Sequence, residues 1–341
     1  VEDRCAHRRV PLSHRYERGA DAAIECYTKD TVTCWYHGFT YSFLTGKLVH
    51  NLSWPTCPDI GKIGIRTYPV EEAKGLVFVF IGDGRPGPLA NDLLPGFLDD
   101  DHVVEGRVRV VEANWRWGVE NGFDSTHIYM HRKSILFDNV NGVVPLGLVP
   151  KDLSGASTNL VLGPGPTGMR ESMLEAYEPV WVTEIGDPSA GGARIEVNMT
   201  RSGEVIPIAP VLSAWLPCLV AVEGFPLPGE TVYEFYVPID ERSHHYFQLM
   251  GKRCGTEEEE RAFRAEVKDR WEYWMQDGFN RDDVIAREGM EDAYTDGNGW
   301  LEEHLTAQDL CIIGWRNVAS RLNRGIQRRP GSADGGAGER P

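Results

Sequence analysis

Cys34-Trp35-Tyr36-His37, read together with Cys5-Ala6-His7, decides how this sequence folds. Each short stretch offers one thiolate and one imidazole. A two-iron, two-sulfur cluster with cysteines on one iron and histidines on the other takes one ligand of each kind from each loop. Imidazoles in place of two thiolates raise its potential, which suits an electron relay. The same four residues could hold a structural zinc ion, which accepts two cysteines and two histidines. Zinc fingers, however, pair Cys with Cys and His with His locally, so the mixed loops favour the cluster. Cys5, His7, Cys34 and His37 are the expected cofactor-binding residues.

Around these loops, residues 1–83 run in short alternating stretches, such as Thr31-Val32-Thr33-Cys34-Trp35-Tyr36 and Gly75-Leu76-Val77-Phe78-Val79-Phe80-Ile81-Gly82, as in a small β domain. Asp83-Gly84-Arg85-Pro86-Gly87-Pro88 is turn chemistry, and the domain border is placed there. Residues 84–327 form the second expected domain. In it, residues 103–111 alternate like a strand and residues 114 to about 128 carry the bulk of a buried helix. Residues 174–251 return to strand-like runs, among them Ala193-Arg194-Ile195-Glu196-Val197-Asn198 and Tyr233-Glu234-Phe235-Tyr236-Val237-Pro238. Residues 257–276 set Phe263, Val267, Trp271 and Trp274 at helical spacing, and a second helix is expected over 284–293. The fold class is α+β, with one antiparallel sheet covered by helices. Residues 328–341 have the composition of a disordered tail.

The 341 residues, 41% of them hydrophobic, suffice for two moderate cores. With 51 acidic against 35 basic residues the formal charge is -16, which repels phosphate backbones and argues against a nucleic-acid partner. No long apolar run and no signal-peptide pattern is present, so no membrane partner is expected and the protein is placed in the cytoplasm. Seven irregularly spaced cysteines fit reduced thiols, a subset of which hold metal.

A second constellation lies in Asn121-Gly122-Phe123-Asp124-Ser125-Thr126-His127-Ile128-Tyr129-Met130-His131. On a helix, His127 and His131 would share one face as a chelating pair. Iron(II) that activates dioxygen takes two histidines and one carboxylate on one side, leaving positions open. A His-x₃-His pair alone is as readily ordinary surface or core chemistry.

Together these motifs resemble the alpha subunits of the Rieske non-haem iron oxygenases. Trp35-Tyr36 is similar to the aromatic pair of the family's second ligand loop, and Asp124 stands in the acidic place of its catalytic His-x₃-or-4-His signature. The resemblance implies a Rieske iron–sulfur β domain followed by a helix-grip catalytic domain, with His127 and His131 on a mononuclear Fe(II). It implies a third ligand at the start of a late helix and aligns Asp283 there, with Asp282 and Asp309 as rivals whose ordinary reading is a helix cap. It implies a homotrimeric ring in which the cluster of one subunit faces the iron of the next. Asp124, the expected catalytic residue, would bridge the partner subunit's His37 to His127. Residues 15–23 read as a surface insertion between the ligand loops. A Rieske domain has strands before its first ligand loop, so further strands are expected upstream of Val1.

Longer phrases extend the resemblance over nearly the whole chain: Thr67-Tyr68-Pro69-Val70-Glu71-Glu72-Ala73-Lys74-Gly75, Glu120-Asn121-Gly122-Phe123-Asp124 and Tyr236-Val237-Pro238-Ile239-Asp240-Glu241. They imply a pocket for a flat aromatic ligand at Gly122, Ile128, Leu212, Val220, Val222, Phe225, Glu234, Phe279 and Asn280; any one of the apolar residues, taken alone, reads more readily as plain core packing. The Gly122 carbonyl would accept the substrate's ring N–H, and a side chain there would crowd the ring. The implied activity is angular dioxygenation of carbazole or a related heterocycle. Electrons would come from a ferredoxin and an NADH-dependent ferredoxin reductase. The alternatives are a Rieske monooxygenase or demethylase, and a non-catalytic, zinc-stabilised protein that binds a hydrophobic ligand.

Overall fold

A computed structural model describes residues 1–14, 20–82, 84–124, 126–133, 147–151, 159–161, 168–172, 177–180, 198–201, 204–207 and 210–322. The expected tail, residues 15–19 of the expected insertion and residues 193–197 of an expected strand lie outside that set. The chain divides into two compact units, with the border between Gly87 and Pro88. Among the described residues no helix is long and apolar enough to cross a membrane.

The first unit is built on a three-stranded antiparallel sheet of β1 (Thr31–Thr33), β2 (Phe39–Ser42) and β3 (Leu48–Asn51). Val32 and Tyr41 face each other across β1 and β2, and with Leu12, Leu48 and Ile65 they close a small core around Cys5 and Cys34. Gly38, at φ +71°, takes the left-handed conformation that turns the chain from His37 into β2. Two hairpins complete the unit, Ser13–His14 with Ala23–Ile24 and Val70–Ala73 with Leu76–Val79.

The second unit is organised by a seven-stranded antiparallel sheet. Its strands are β4 (His102–Val111), β5 (Asn159–Val161), β6 (Gly168–Ser172), β7 (Val211–Trp215), β8 (Leu219–Glu223), β9 (Glu230–Pro238) and β10 (His244–Arg253). The order is β5-β6-β7-β8-β9-β10-β4. Alternation places Val232, Glu234 and Tyr236 of β9 on one face. Two apolar clusters meet on it. One gathers Val232 and Met250 with Phe263, Val267 and Trp271. The other gathers Tyr236 and Tyr246 with helix α1 (Trp115–Phe123), Trp315 and Val318. Glu234, between them in sequence, pairs across the sheet with Val220 and Gln248.

Two expectations about helices are corrected. The helix expected over residues 114–128 ends at Phe123: Asp124 is extended (ψ 98°), and His127–Lys133 forms a separate 3₁₀-helix. With three residues per turn, residues four apart lie about a third of a turn from each other, so His127 and His131 do not share an α-helical face. The two late helices are one helical run. Helix α2 (Glu257–Glu266) starts at a capping box of Thr256 and Glu259, continues through π-helical turns at Val267–Trp271 and Trp274–Phe279, and passes into α3 (Asn280–Thr295). Helix α4 (Leu310–Leu322) follows.

Candidate metal centres

The break at Asp124 aims the histidines. Asp124 Oδ1 accepts from the main-chain N–H of Thr126 at 2.8 Å and from its hydroxyl at 2.7 Å, pinning the turn. Nδ1 of His127 meets the main-chain carbonyl of Asp124, not its carboxylate. That contact leaves Nε2 of His127 to face Asp283, 3.5 Å from Oδ1, while Nε2 of His131 lies 3.6 Å from Oδ2. One ligand atom from each of the three residues falls within 4.8 Å of the other two. Asp283 sits in the first turn of α3 and is 2% exposed, His131 is 1% exposed, and His127 is partly open.

The donor set fits a divalent metal. Among the described residues Nδ1 of the buried His131 has no hydrogen-bond partner, and Nε2 has only the long approach to Asp283 Oδ2, a costly state for a buried imidazole unless something binds it. Burial alone would raise the Asp283 carboxyl. Facing His131, His127 and the buried Arg287 outweighs it and holds Asp283 well below the usual carboxylate range. Two imidazoles and one anionic carboxylate suit iron(II) with open positions. Asp282 is only half-buried, and Asp309 caps a turn with Thr306.

In the first unit the two ligand loops meet. Cys5 and Cys34 are each 1% exposed, and Cys5 Sγ lies 3.2 Å from the Tyr41 hydroxyl. Burial and the adjoining Cys5 push the Cys34 thiol up, although main-chain N–H groups of its own loop pull against them. The rings of His7 and His37 sit edge to face with centroids 4.9 Å apart. The thiols therefore point inward and the imidazoles lie nearer the surface. This separation suits a cluster with sulfur ligands on one iron and nitrogen ligands on the other.

The expected pocket residues divide into three groups. Ile128, Val222, Phe225 and Phe279 are half-buried, and Phe279 stacks on His131 with centroids 3.9 Å apart. Leu212 and Val220 are core, 4% and 0% exposed. Glu234 and Asn280 belong to a buried polar network, and Gly122 lies against it. The Tyr236 hydroxyl donates to Glu234 Oε2 at 2.8 Å and the Tyr246 hydroxyl to Glu234 Oε1. The Asn280 amide stands 3.2 Å from Glu234 Oε1, Tyr246 and Asp283 Oδ2. Burial pushes both phenols far above their usual range, so each keeps its proton and can donate. Arg287 donates to Asn121 Oδ1 at 2.6 Å and to the Tyr236 hydroxyl at 3.3 Å.

Sequence reasoning missed Tyr236, Tyr246, Arg287 and Gly118 as parts of this site. One signal was present: Gly118 and Gly122, four apart on a buried helix, open a groove in which a Cβ at either position would strike Tyr236.

Two family descriptions match: the Rieske [2Fe-2S] domain over residues 1–69 and the homotrimeric ring hydroxylase over residues 80–327. The chain belongs to the Rieske non-haem iron oxygenases, enzymes that couple a [2Fe-2S] cluster to a mononuclear iron. It is 43% identical to the terminal oxygenase component of carbazole 1,9a-dioxygenase from Sphingomonas sp., over 96% of this chain and 82% of that one. The terminal oxygenase of carbazole 1,9a-dioxygenase from Novosphingobium sp. KA1 superposes with a TM-score of 0.84 at 46% identity, covering 96% of this chain and 84% of that one. A carbazole-bound variant oxygenase in complex with ferredoxin gives a TM-score of 0.84 at 41% identity, over 96% and 81% of the two chains.

Proposed function

We propose that the chain is the terminal oxygenase component of a multicomponent dioxygenase that attacks carbazole, or a related tricyclic heterocycle, at the angular carbon. One observation carries the reading: the buried His131, the partly open His127 and an anionic carboxylate converge beside the apolar side chains of Phe279 and Phe225, in a chain similar to carbazole dioxygenases over nearly its whole length. In this reading residues 1–83 form the cluster domain, with Cys5, His7, Cys34 and His37 as ligands. Residues 84–327 form the catalytic domain, with His127, His131 and Asp283 as ligands. The mononuclear iron, when bound, supplies dioxygen activation with electrons relayed from the cluster.

The protein's own part is to hold, aim and exclude water. Asp124 orients His127 through its main-chain carbonyl, and its carboxylate bridges to the partner subunit's His37 in a homotrimer. Phe279, Phe225, Ile128 and Val222 wall a flat aromatic ligand. Gly122 lies in the last turn of α1, where main-chain carbonyls lack an intrahelical donor, so its oxygen is available to a ring N–H. The ferredoxin-bound relative supports a ferredoxin as electron donor, charged from NADH by a reductase in the cytoplasm.

The test is product analysis with redox partners, supplying carbazole, dibenzofuran and a methoxylated aromatic separately. Carbazole is expected to give an aminobiphenyl diol. Dibenzofuran, which lacks the N–H, should react less selectively, since one neutral hydrogen bond is worth roughly 0.5–1.5 kcal/mol. Enzyme loaded with both metals that leaves carbazole intact but dealkylates the methoxylated compound overturns the substrate assignment.

A further inference from the structure

We propose that Asn280, Glu234, Tyr246, Tyr236 and Arg287 are positioning residues for the Asp283 carboxylate, so that Glu234 and Asn280 act on the metal site and not on the substrate. The inference rests on reading His127, His131 and Asp283 as metal ligands.

The direction of the donors carries the argument. Glu234 is 4% exposed, and both its oxygens are taken: Oε2 by Tyr236, Oε1 by Tyr246 and Asn280. Its carboxylate therefore acts as an anchor inside the helix–sheet interior, with both oxygens already held by protein donors. Asn280 holds that anchor with the same amide nitrogen that reaches Asp283 Oδ2. One side of the Asp283 carboxylate is thereby tied to β9 through a single side chain. A carboxylate restrained in this way presents its remaining lone pairs in one orientation.

The far end of the network is fixed as firmly. Arg287 is fully buried, and its guanidinium lies over the rings of Tyr236 and Tyr246, 5.0 and 4.7 Å from their centroids. The two rings stack on each other with centroids 5.0 Å apart and 9° between planes. Tyr236 is seated in turn by Gly118 and Gly122 of α1, where any side chain would displace it. The network thus joins α1, β9, β10 and α3 at the carboxylate.

The test uses the full-length protein with its cluster intact, stripped of mononuclear metal by a chelator and titrated with Fe(II). Asn280→Ala is expected to weaken Fe(II) binding about ten- to a hundredfold, the usual cost of losing a hydrogen bond to a ligand. Tyr246→Phe removes one hydroxyl, keeps the ring stack and should weaken binding less. The near-infrared magnetic circular dichroism of the bound Fe(II) should shift in both. If Asn280→Ala does not fold, Tyr246→Phe carries the test alone. Parent affinity and unshifted bands, with a changed KM or product ratio, would return Glu234 and Asn280 to the pocket wall and overturn the proposal. Asp283→Ala separates the two readings. Parent Fe(II) affinity in that variant overturns the ligand assignment. Loss there, with parent affinity in the network variants, overturns the network alone.

Discussion

A methyl group at residue 122 would meet the Tyr236 hydroxyl at 2.5 Å and Glu234 Oε2 at 3.0 Å. Those atoms are hydrogen-bonded to each other in the interior, so neither is a flexible end that can swing away. The sequence placed Gly122 beside the substrate, with a side chain crowding its ring; the Cβ direction puts the collision in the protein's own network. Gly122→Val is therefore expected to destabilise the second unit by about 1–3 kcal/mol, the usual cost of overpacking, and to weaken Fe(II) binding with it. Urea unfolding and Fe(II) titration on one preparation check this. A variant with parent stability and parent affinity but altered carbazole products would mean that the side chain enters the pocket. Gly122→Ala should move the same way by a smaller amount.

Helix α3 turns its polar side inward: Asn280, Asp283, Arg287 and Glu291 are its buried residues, while Ile285 is 57% exposed. Periodicity reading assumes that apolar residues mark the buried face, and here buried charged residues share that face, so nothing in the sequence signals that Arg287 and Glu291 lie inside. Glu291 accepts from the main-chain N–H of Asn114 at 2.6 Å and the Trp117 indole at 2.9 Å, contacts no local pattern encodes. By contrast, β4, β9 and the sheet class were legible, because each is written in short contiguous stretches. The 3₁₀ geometry at His127 was not, since it depends on Asp124 gripping Thr126 and ending α1 early.

At the neighbouring strand β10, burial lowers His244 from its ordinary value near 6.5 to about 4, although the Ala113 carbonyl at 2.7 Å from Nδ1 works the other way. An unfolded chain takes up this proton as pH falls through 6.5, whereas the folded chain resists until about 4. The stability due to neutral His244 is thus complete above pH 6.5 and lost progressively toward pH 4. That loss is on the order of 3 kcal/mol at most. Urea midpoints between pH 7 and pH 4.5 should fall more steeply for the parent than for His244→Gln, and equal slopes would remove His244 as the cause.

At the scale of the whole molecule, the residues proposed as ligands of each metal fall within one compact unit: Cys5, His7, Cys34 and His37 in the first, His127, His131 and Asp283 in the second. The two loadings are therefore expected to separate cleanly under mutation. Asp283→Ala should lose mononuclear iron and all turnover while keeping the visible absorbance of the cluster. Cys34→Ser should lose that absorbance while its second unit still binds Fe(II) with parent affinity. Loss of both metals in either variant would show that the units depend on each other for loading.

The wide turn at Trp274–Phe279 bears on how this helix tolerates a change of length. A π-helix closes each hydrogen-bonded ring one residue later than an α-helix, so it takes in an extra residue within nearly the same arc and hands the chain on without rotating the next turns of helix. Asn280, Asp283 and Arg287 keep their bearing on β9 whether that turn holds its present number of residues or one fewer. Gain or loss of a single residue is therefore expected to be tolerated better at the π-helical turns Val267–Trp271 and Trp274–Phe279 than within α2 or α3. Length differences among relatives should gather there and spare Asn280–Thr295.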